Sequence, residues 1–181
     1  LRYDDRFYGD ASATFSNYTT KDFSDDAACA IQFARKRFDK VGILGHSEGG
    51  AIALMLAADK QVDFVVSMSG MVASGRETIL QQNKDMLHAM TALSDDVINA
   101  YVQALGEGLD GIIAGKKPAE IPLPKMLPAS MTQNFQAAIK QADTPWFRYF
   151  LQVNPSTIIG KIACPVLAIG GKKDLQVNST Q

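Results

Sequence analysis

Cysteine and histidine are scarce in this chain, whose 181 residues include two cysteines, Cys29 and Cys164, and two histidines, His46 and His88. Two cysteines are too few to define a disulfide framework, and we expect both to be buried free thiols. The net charge is −1 and no basic stripe is present, which argues against nucleic acid as the main partner. No apolar run approaches the length that spans a membrane, so no membrane span is predicted.

Nucleotide-binding motifs are also missing. The glycine-rich segment 45–50 has neither the lysine of a P-loop nor the spacing of G-x-G-x-x-G. The sequence implies no cofactor and no metal site. Apolar residues make up 46% of the chain and charged residues 20%, which is typical of a globular protein rather than a disordered one.

The most informative segment that is present is the pentapeptide Gly-His-Ser-Glu-Gly at residues 45–49. A short apolar run before it predicts a strand, and a longer apolar run after it predicts a buried helix. In this context G-x-S-x-G is typical of a nucleophile elbow, a sharp turn that exposes the serine hydroxyl. Gly45 and Gly49 lack a Cβ atom and so permit a tight turn, which makes Ser47 the candidate nucleophile. The alternative is a buried serine in an ordinary strand–helix turn.

Strand-length and helix-length apolar patterns alternate along the chain and predict an α/β fold with a mostly parallel sheet. We expect helices over 20–38 and 49–58 and strands over 41–44, 62–68 and 165–169. Three further helical patterns lie between the last two strands, with a loop rich in glycine and proline over 106–128. This intervening stretch is too long for a simple crossover and is interpreted as an inserted helical cap. The predicted domains are a core of residues 1–75 and 153–181 and a cap of residues 76–152.

Four segments carry a resemblance: residues 2–6, 40–50, 164–171 and 172–177. In order and spacing they are similar to the α/β-hydrolase fold family, and specifically to its serine esterase-like members. The resemblance implies that the chain begins at the end of the fourth strand of that fold, and that the pentapeptide follows the fifth. It also implies that the chain stops before the segment that carries the catalytic histidine.

The resemblance assigns roles to individual residues. Ser47 would be the nucleophile, Asp174 the acid of the triad, and the backbone N–H of Glu48 one donor of the oxyanion hole. The alternative for Asp174 is a turn aspartate that caps a loop. Neither histidine fits the base, because His46 immediately precedes the nucleophile and His88 belongs to the cap. We expect the base and the second oxyanion donor to lie outside this chain.

Pocket residues are predicted less sharply. His46 packs beside the elbow, and methionine and aromatic side chains could line an acyl pocket, with ordinary core packing as the alternative. These side chains are Met71, Met86, Met90, Met126, Met131, Trp146, Phe147 and Phe150. Glu77 is a weaker candidate for the acid. The carboxylate of Glu48 could be solvated or could receive a cationic group of the substrate.

The resemblance implies a hydrolase that cleaves a small-molecule ester through an acyl-serine intermediate, with this chain alone nearly inactive. A ligand-binding protein without turnover, and a peptidase, thioesterase or acyltransferase with the same triad, remain alternatives. In the family a third strand lies beside the strand over 41–44. Without that third strand, the strand over 41–44 would expose an apolar edge. Self-association through that edge, or a rearranged sheet, is expected.

Overall fold

The computed structural model of the protein describes residues 1–8, 12–125 and 127–178. Its strands are β1 (Gly42–His46), β2 (Phe64–Met68) and β3 (Val166–Ile169). Its helices are α1 (Thr20–Arg35), α2 (Glu48–Ala58), α3 (Gly75–Met90), α4 (Asp95–Ile113), α5 (Ala129–Ala142) and α6 (Pro145–Phe150). Short 3₁₀ turns span Phe15–Asn17, Pro118–Glu120, Pro155–Thr157 and Ile159–Lys161.

The three strands form one parallel sheet in the order β1-β2-β3. Leu44 of β1 pairs with Val66 of β2, and Met68 of β2 pairs with Ile169 of β3. Since the strands are parallel, their carboxyl ends meet at one edge of the sheet, where open α/β sheets bind their ligands. The prediction of an α/β fold with a parallel sheet flanked by helices is confirmed.

Helix α1 begins at the capping box that its sequence predicts. The Thr19 side chain accepts a hydrogen bond from the backbone N–H of Asp22, whose carboxylate accepts one in return from the Thr19 N–H. The helix ends at Arg35, three residues before the predicted end, and the side chain of Phe38 is exposed. The apolar pattern therefore continues past the helix itself.

The expectation of two buried thiols is wrong. Cys29 is exposed and Cys164 is half-buried, and both are free. Helix α1 packs on α2 and buries Ala27 and Ile31. Because Cys29 is two positions from Ala27, it lies on the opposite face of the helix.

The predicted loop over 106–128 is also wrong in its first part, because α4 continues to Ile113. The glycines that suggested a loop allow close helix contacts instead. A Cβ atom on Gly108 would lie 2.5 Å from Cδ1 of Ile139 in α5. The chain leaves the helix at Gly115, whose φ of +92° favours glycine.

The buried side chains form two hydrophobic clusters. One lies among the helices α3 to α6 and includes Leu105, Phe135 and Phe150. The other packs α1 and α2 against the sheet and includes Phe23 and Val65. The first cluster also contains Ala51 of α2 and Met71, and the separate cap with its boundaries 76 and 152 stays a prediction. No helix in the described parts of the chain is long and apolar enough to cross a membrane.

Candidate active site

Ser47 lies between the last residue of β1 and the first residue of α2, in a backbone conformation that non-glycine residues rarely adopt. Its φ is 55° and its ψ is −119°. Its N–H donates to the carbonyl of Met68 at 3.0 Å, and its carbonyl accepts from the N–H of Gly50 at 2.9 Å. Such a conformation costs about 1–3 kcal/mol and persists only where the surrounding structure enforces it. The turn places Ser47, which is partly exposed, at the carboxyl edge of the sheet.

Close packing around this turn depends on two glycines. A Cβ atom on Gly45 would lie 1.9 Å from the carbonyl oxygen of Gly49, and one on Gly50 would lie 2.5 Å from Cα of Gly70. A Cβ atom on Gly49 would have no neighbour within 4 Å. The tight turn therefore requires glycine at position 45, and Gly50 lets α2 approach the segment after β2. The steric reason offered for Gly49 does not hold.

Glu48 is the first residue of α2, and its carboxylate is held by side chains from two other helices. Oε1 accepts a hydrogen bond from the hydroxyl of Thr20 at 2.6 Å. The indole N–H of Trp146 donates to Oε1 at 3.0 Å and to Oε2 at 3.1 Å. Burial raises the pKa of Glu48, and the hydrogen bonds from Thr20 and Trp146 oppose that shift. The side chain is thus neither fully solvated nor free to turn toward a substrate.

Asp174 follows β3 and lies in a tight turn. Its Oδ1 accepts hydrogen bonds from the backbone N–H groups of Val177 at 3.0 Å and Gln176 at 2.9 Å. The N–H of Val177, followed by the Ser69 hydroxyl and the N–H of Gln176, lowers the pKa of Asp174. The carboxylate therefore caps its own turn, which was the alternative interpretation, and is also held ionised beside β2. Ser47 is not among its hydrogen-bond partners.

Ser69 is a site residue that the sequence did not single out. It follows β2 with a φ of 41°, and its N–H donates to the carbonyl of Ile169 at 2.7 Å. Its hydroxyl helps to lower the pKa of Asp174. No motif marks such a residue, since its role comes from the pairing of β2 with β3.

Both histidines lie on the same side of the molecule as Asp174. His46 ends β1, is exposed, and is near enough to Asp174 to contribute slightly to its lowered pKa. His88, on α3, lines a cavity of about 370 Å³ together with Asp174, Lys172 and Lys173. Its Nδ1 lies 3.6 Å from a carboxylate oxygen of Asp95. Neither histidine is hydrogen-bonded to Asp174.

The predicted pocket residues occupy different environments. Met71 is 1% exposed and packs within the cluster of α3 to α6, whereas Trp146 is half-buried against Phe15, with ring centroids 4.7 Å apart. Of the others, Met131, Phe147 and Phe150 are buried, Met86 and Met90 are exposed, and Met126 lies outside the described residues. Their role in binding substrate stays a prediction.

Glu77, the weaker acid candidate, lies in the first turn of α3. Its carboxylate accepts hydrogen bonds from the Ser74 N–H at 3.0 Å and the Ser74 hydroxyl at 2.7 Å. These contacts form a capping box. The capping box of α3 accounts for the conformation of Glu77 without a part in catalysis.

A larger cavity, of about 680 Å³, opens beside β3. Its walls include Ser69, Val166 and Ala168 but not Ser47. Size alone does not assign a substrate site, and we place the candidate site at the elbow because the strained serine is there.

Two solved structures are similar to this chain. The chain is similar to the structure of a membrane phospholipase A described as a bacterial virulence factor, with 15% identity, 98% of this chain and 55% of that chain covered, and a TM-score of 0.47. It is also similar to homoserine O-acetyltransferase from Staphylococcus aureus, with 16% identity and a TM-score of 0.41. That match covers 91% of this chain and 53% of the acetyltransferase chain. The chain thus spans about half the length of these solved structures. No curated protein matches it.

The sequence itself matches a family model. The model describes the α/β hydrolase fold, and the match covers residues 1–178. Nearly the whole chain is therefore accounted for by one family, as the order of its strands and the turn at Ser47 had suggested. The chain belongs to the α/β hydrolase fold family.

Proposed function

We propose that the protein that contains this chain is a serine hydrolase that cleaves carboxylic esters of small molecules through an acyl-Ser47 intermediate. The observation that carries the proposal is the strained conformation of Ser47, at φ 55°, in a strand–turn–helix segment. Asp174 lies after β3, at the same edge of the parallel sheet. A nucleophile after β1 and an acid after β3, at the carboxyl edge of one parallel sheet, fit acyl transfer on this fold.

Each residue has one role in the proposed reaction. The Ser47 hydroxyl attacks the ester carbonyl while a histidine base, oriented by Asp174, accepts its proton. The N–H of Glu48, in the first turn of α2, stabilises the negative charge that forms on the carbonyl oxygen. The tetrahedral intermediate expels the alcohol, which takes up the proton held by the histidine, and water then hydrolyses the acyl-Ser47 ester to release the acid and restore the Ser47 hydroxyl. We do not assign the base to His46 or His88.

A fluorophosphonate probe tests the nucleophile without knowledge of the substrate. We expect covalent labelling of the full-length protein at Ser47, located by peptide mass spectrometry, and no labelling of Ser47→Ala. Ser94→Ala is a matched control, because Ser94 is an exposed serine that precedes the distant helix α4. Labelling that persists in Ser47→Ala would refute the proposal.

Turnover of short p-nitrophenyl esters tests the reaction type. Release of p-nitrophenol that is lost in Ser47→Ala supports ester hydrolysis. Labelling at Ser47 without ester turnover would instead favour transfer of the acyl group to another acceptor, or binding without chemistry.

A further inference from the structure

The carboxylate of Glu48 connects the elbow to a helix far away in the sequence. Glu48 and Trp146 are separated by 98 positions, yet the indole N–H donates to both carboxylate oxygens. Trp146 belongs to α6, within the proposed cap. The contact therefore links α6 to the residue that follows the candidate nucleophile.

The surroundings of this contact are apolar, and among the described residues no cation shifts the pKa of Glu48. The Trp146 ring packs against Phe15, Phe147 and Phe150, with centroids 4.7, 5.1 and 5.3 Å away. A charged group that acts on Glu48 is the carboxylate of Asp5, which repels it. Hydrogen bonds from Thr20 and Trp146 therefore take the place of an ion pair. Buried carboxylates are costly unless they are held in this way.

We propose that Glu48 is a positioning residue whose carboxylate, anchored by Thr20 and Trp146, fixes the direction of its own backbone N–H at the elbow. This inference rests on the proposed function, in which that N–H is an oxyanion donor. The side chain and the N–H share one Cα atom, so two anchors on the carboxylate restrict rotation of the Ser47–Glu48 peptide. A donor gains its effect from being fixed before the charge develops.

Removal of either anchor tests the proposal through the rate of fluorophosphonate labelling of the full-length protein. Complete loss of an oxyanion donor lowers rates by about 10²–10³-fold in other enzymes. We expect Trp146→Phe and Thr20→Val each to slow labelling by about tenfold, as partial misplacement of one donor would, with esterase kcat reduced more than KM. Thr78→Val is the matched control for Thr20→Val, because Thr78 is a buried threonine whose hydroxyl has no hydrogen-bond partner.

Conservative variants separate positioning from packing. Glutamine at position 48 keeps an acceptor for the indole N–H, whereas alanine does not. Glu48→Gln is therefore expected to label faster than Glu48→Ala. Equal rates for the two variants, or wild-type rates for Trp146→Phe and Thr20→Val, would overturn the proposal.

Trp146 also gives a readout that needs no activity, since it is the chain's single tryptophan. We expect its emission in the wild-type protein to change with pH as Glu48 is protonated, and that change to be absent in Glu48→Gln. A pH-dependent change in emission that persists in Glu48→Gln would come from another group, for instance Asp5. It would contradict the contact between Glu48 and Trp146 on which the proposal depends. If the wild-type protein shows no labelling at Ser47, the proposed function itself is contradicted. The failure of the positioning proposal and the failure of the proposed function are therefore distinguishable.

Discussion

At the residue scale, the raised pKa of Glu48 determines how this residue changes the free energy of unfolding with pH. Burial raises its pKa above the ordinary value of 4.5, so the folded protein holds this proton more tightly than the unfolded chain does. The free energy of unfolding therefore decreases as pH rises from about 4.5 through the raised value.

A difference measurement isolates that effect. We expect the unfolding free energy of the wild type minus that of Glu48→Gln to fall between pH 4 and pH 7, as measured by urea denaturation. Carboxylates whose pKa is lowered, such as Asp174, affect both proteins equally and cancel. A difference that stays constant or increases with pH would contradict the burial of this carboxylate.

Two elbow glycines give a matched pair with opposite outcomes. Gly45→Ala would place a methyl group 1.9 Å from the carbonyl of Gly49, and since backbone cannot move aside easily, we expect a loss of about 3 kcal/mol or more. Gly49→Ala meets no atom within 4 Å and lies in α2, so we expect a gain of about 0.5–1 kcal/mol. Guanidinium denaturation of both variants checks the pair, and equal destabilisation would show that the turn tolerates neither.

Some of the candidate site could be predicted from sequence and some could not. Ser47 and Asp174 were identified because a local motif and its order along the chain mark them. The partners of Glu48 were not, since Thr20 and Trp146 lie 28 and 98 positions away and only the packing of α1 and α6 brings them together. Side-chain hydrogen bonds across elements leave no periodic signal in a sequence.

At the scale of elements, the packing of α4 on α5 depends on a small residue. Gly108→Ala directs a methyl group toward Cδ1 of Ile139, 2.5 Å away, and overpacking of this kind costs about 1–3 kcal/mol. The better helix propensity of alanine offsets up to about 1 kcal/mol of that. Removal of Cδ1 in Ile139→Val should relieve the clash.

A double-mutant cycle tests this contact. We expect Gly108→Ala to be less destabilising in the Ile139→Val background than in the wild type, by about 1 kcal/mol in thermal or urea unfolding. If the effects of Gly108→Ala and Ile139→Val on stability are additive, the new methyl group does not clash with Cδ1 of Ile139, and α4 and α5 have moved apart instead.

The same glycines explain why the end of α4 was missed. Glycine is usually unfavourable inside a helix, so the composition of 106–128 favoured a loop. Tertiary packing overrides that propensity at Gly108 and Gly111, where a larger residue would contact Ile139 and Ile121. The start of α1 was better defined by sequence, since it has a capping box.

At the scale of the whole molecule, alternating strand and helix patterns were enough to predict the parallel sheet. The apolar runs predicted the strands, of which β2 is buried on the α2 side at Val65 and Ser67, whereas all four residues of β3 are exposed. The other face could not be assessed from the same runs, because a continuous apolar pattern does not show which side is covered. In the structure that face is largely uncovered.

The uncovered face has one row of apolar side chains from each strand. Leu44 is 62% exposed and Leu167 is 57% exposed, and both pair with Val66 in the register of the sheet. Phe64, Met68 and Ile169 extend the same surface. Within residues 1–8, 12–125 and 127–178, β1 pairs with one strand only, so an apolar face adjoins an unpaired edge. Such a combination promotes pairing with another chain.

We therefore expect the 181-residue chain to self-associate, with a sedimentation coefficient that rises with concentration. Leu44→Lys and Leu167→Lys should each weaken association, because a charge in the middle of the apolar surface must be desolvated when a second copy covers it. Met90→Lys is the control, since Met90 is 73% exposed but lies on α3. A chain that stays monomeric over the whole concentration range, or association that Met90→Lys weakens as much as Leu44→Lys does, would refute pairing through the sheet. Because β1 leads directly into Ser47, association at its edge would also change access to the candidate nucleophile, and Ser47 labelling measured across the same concentrations would report it.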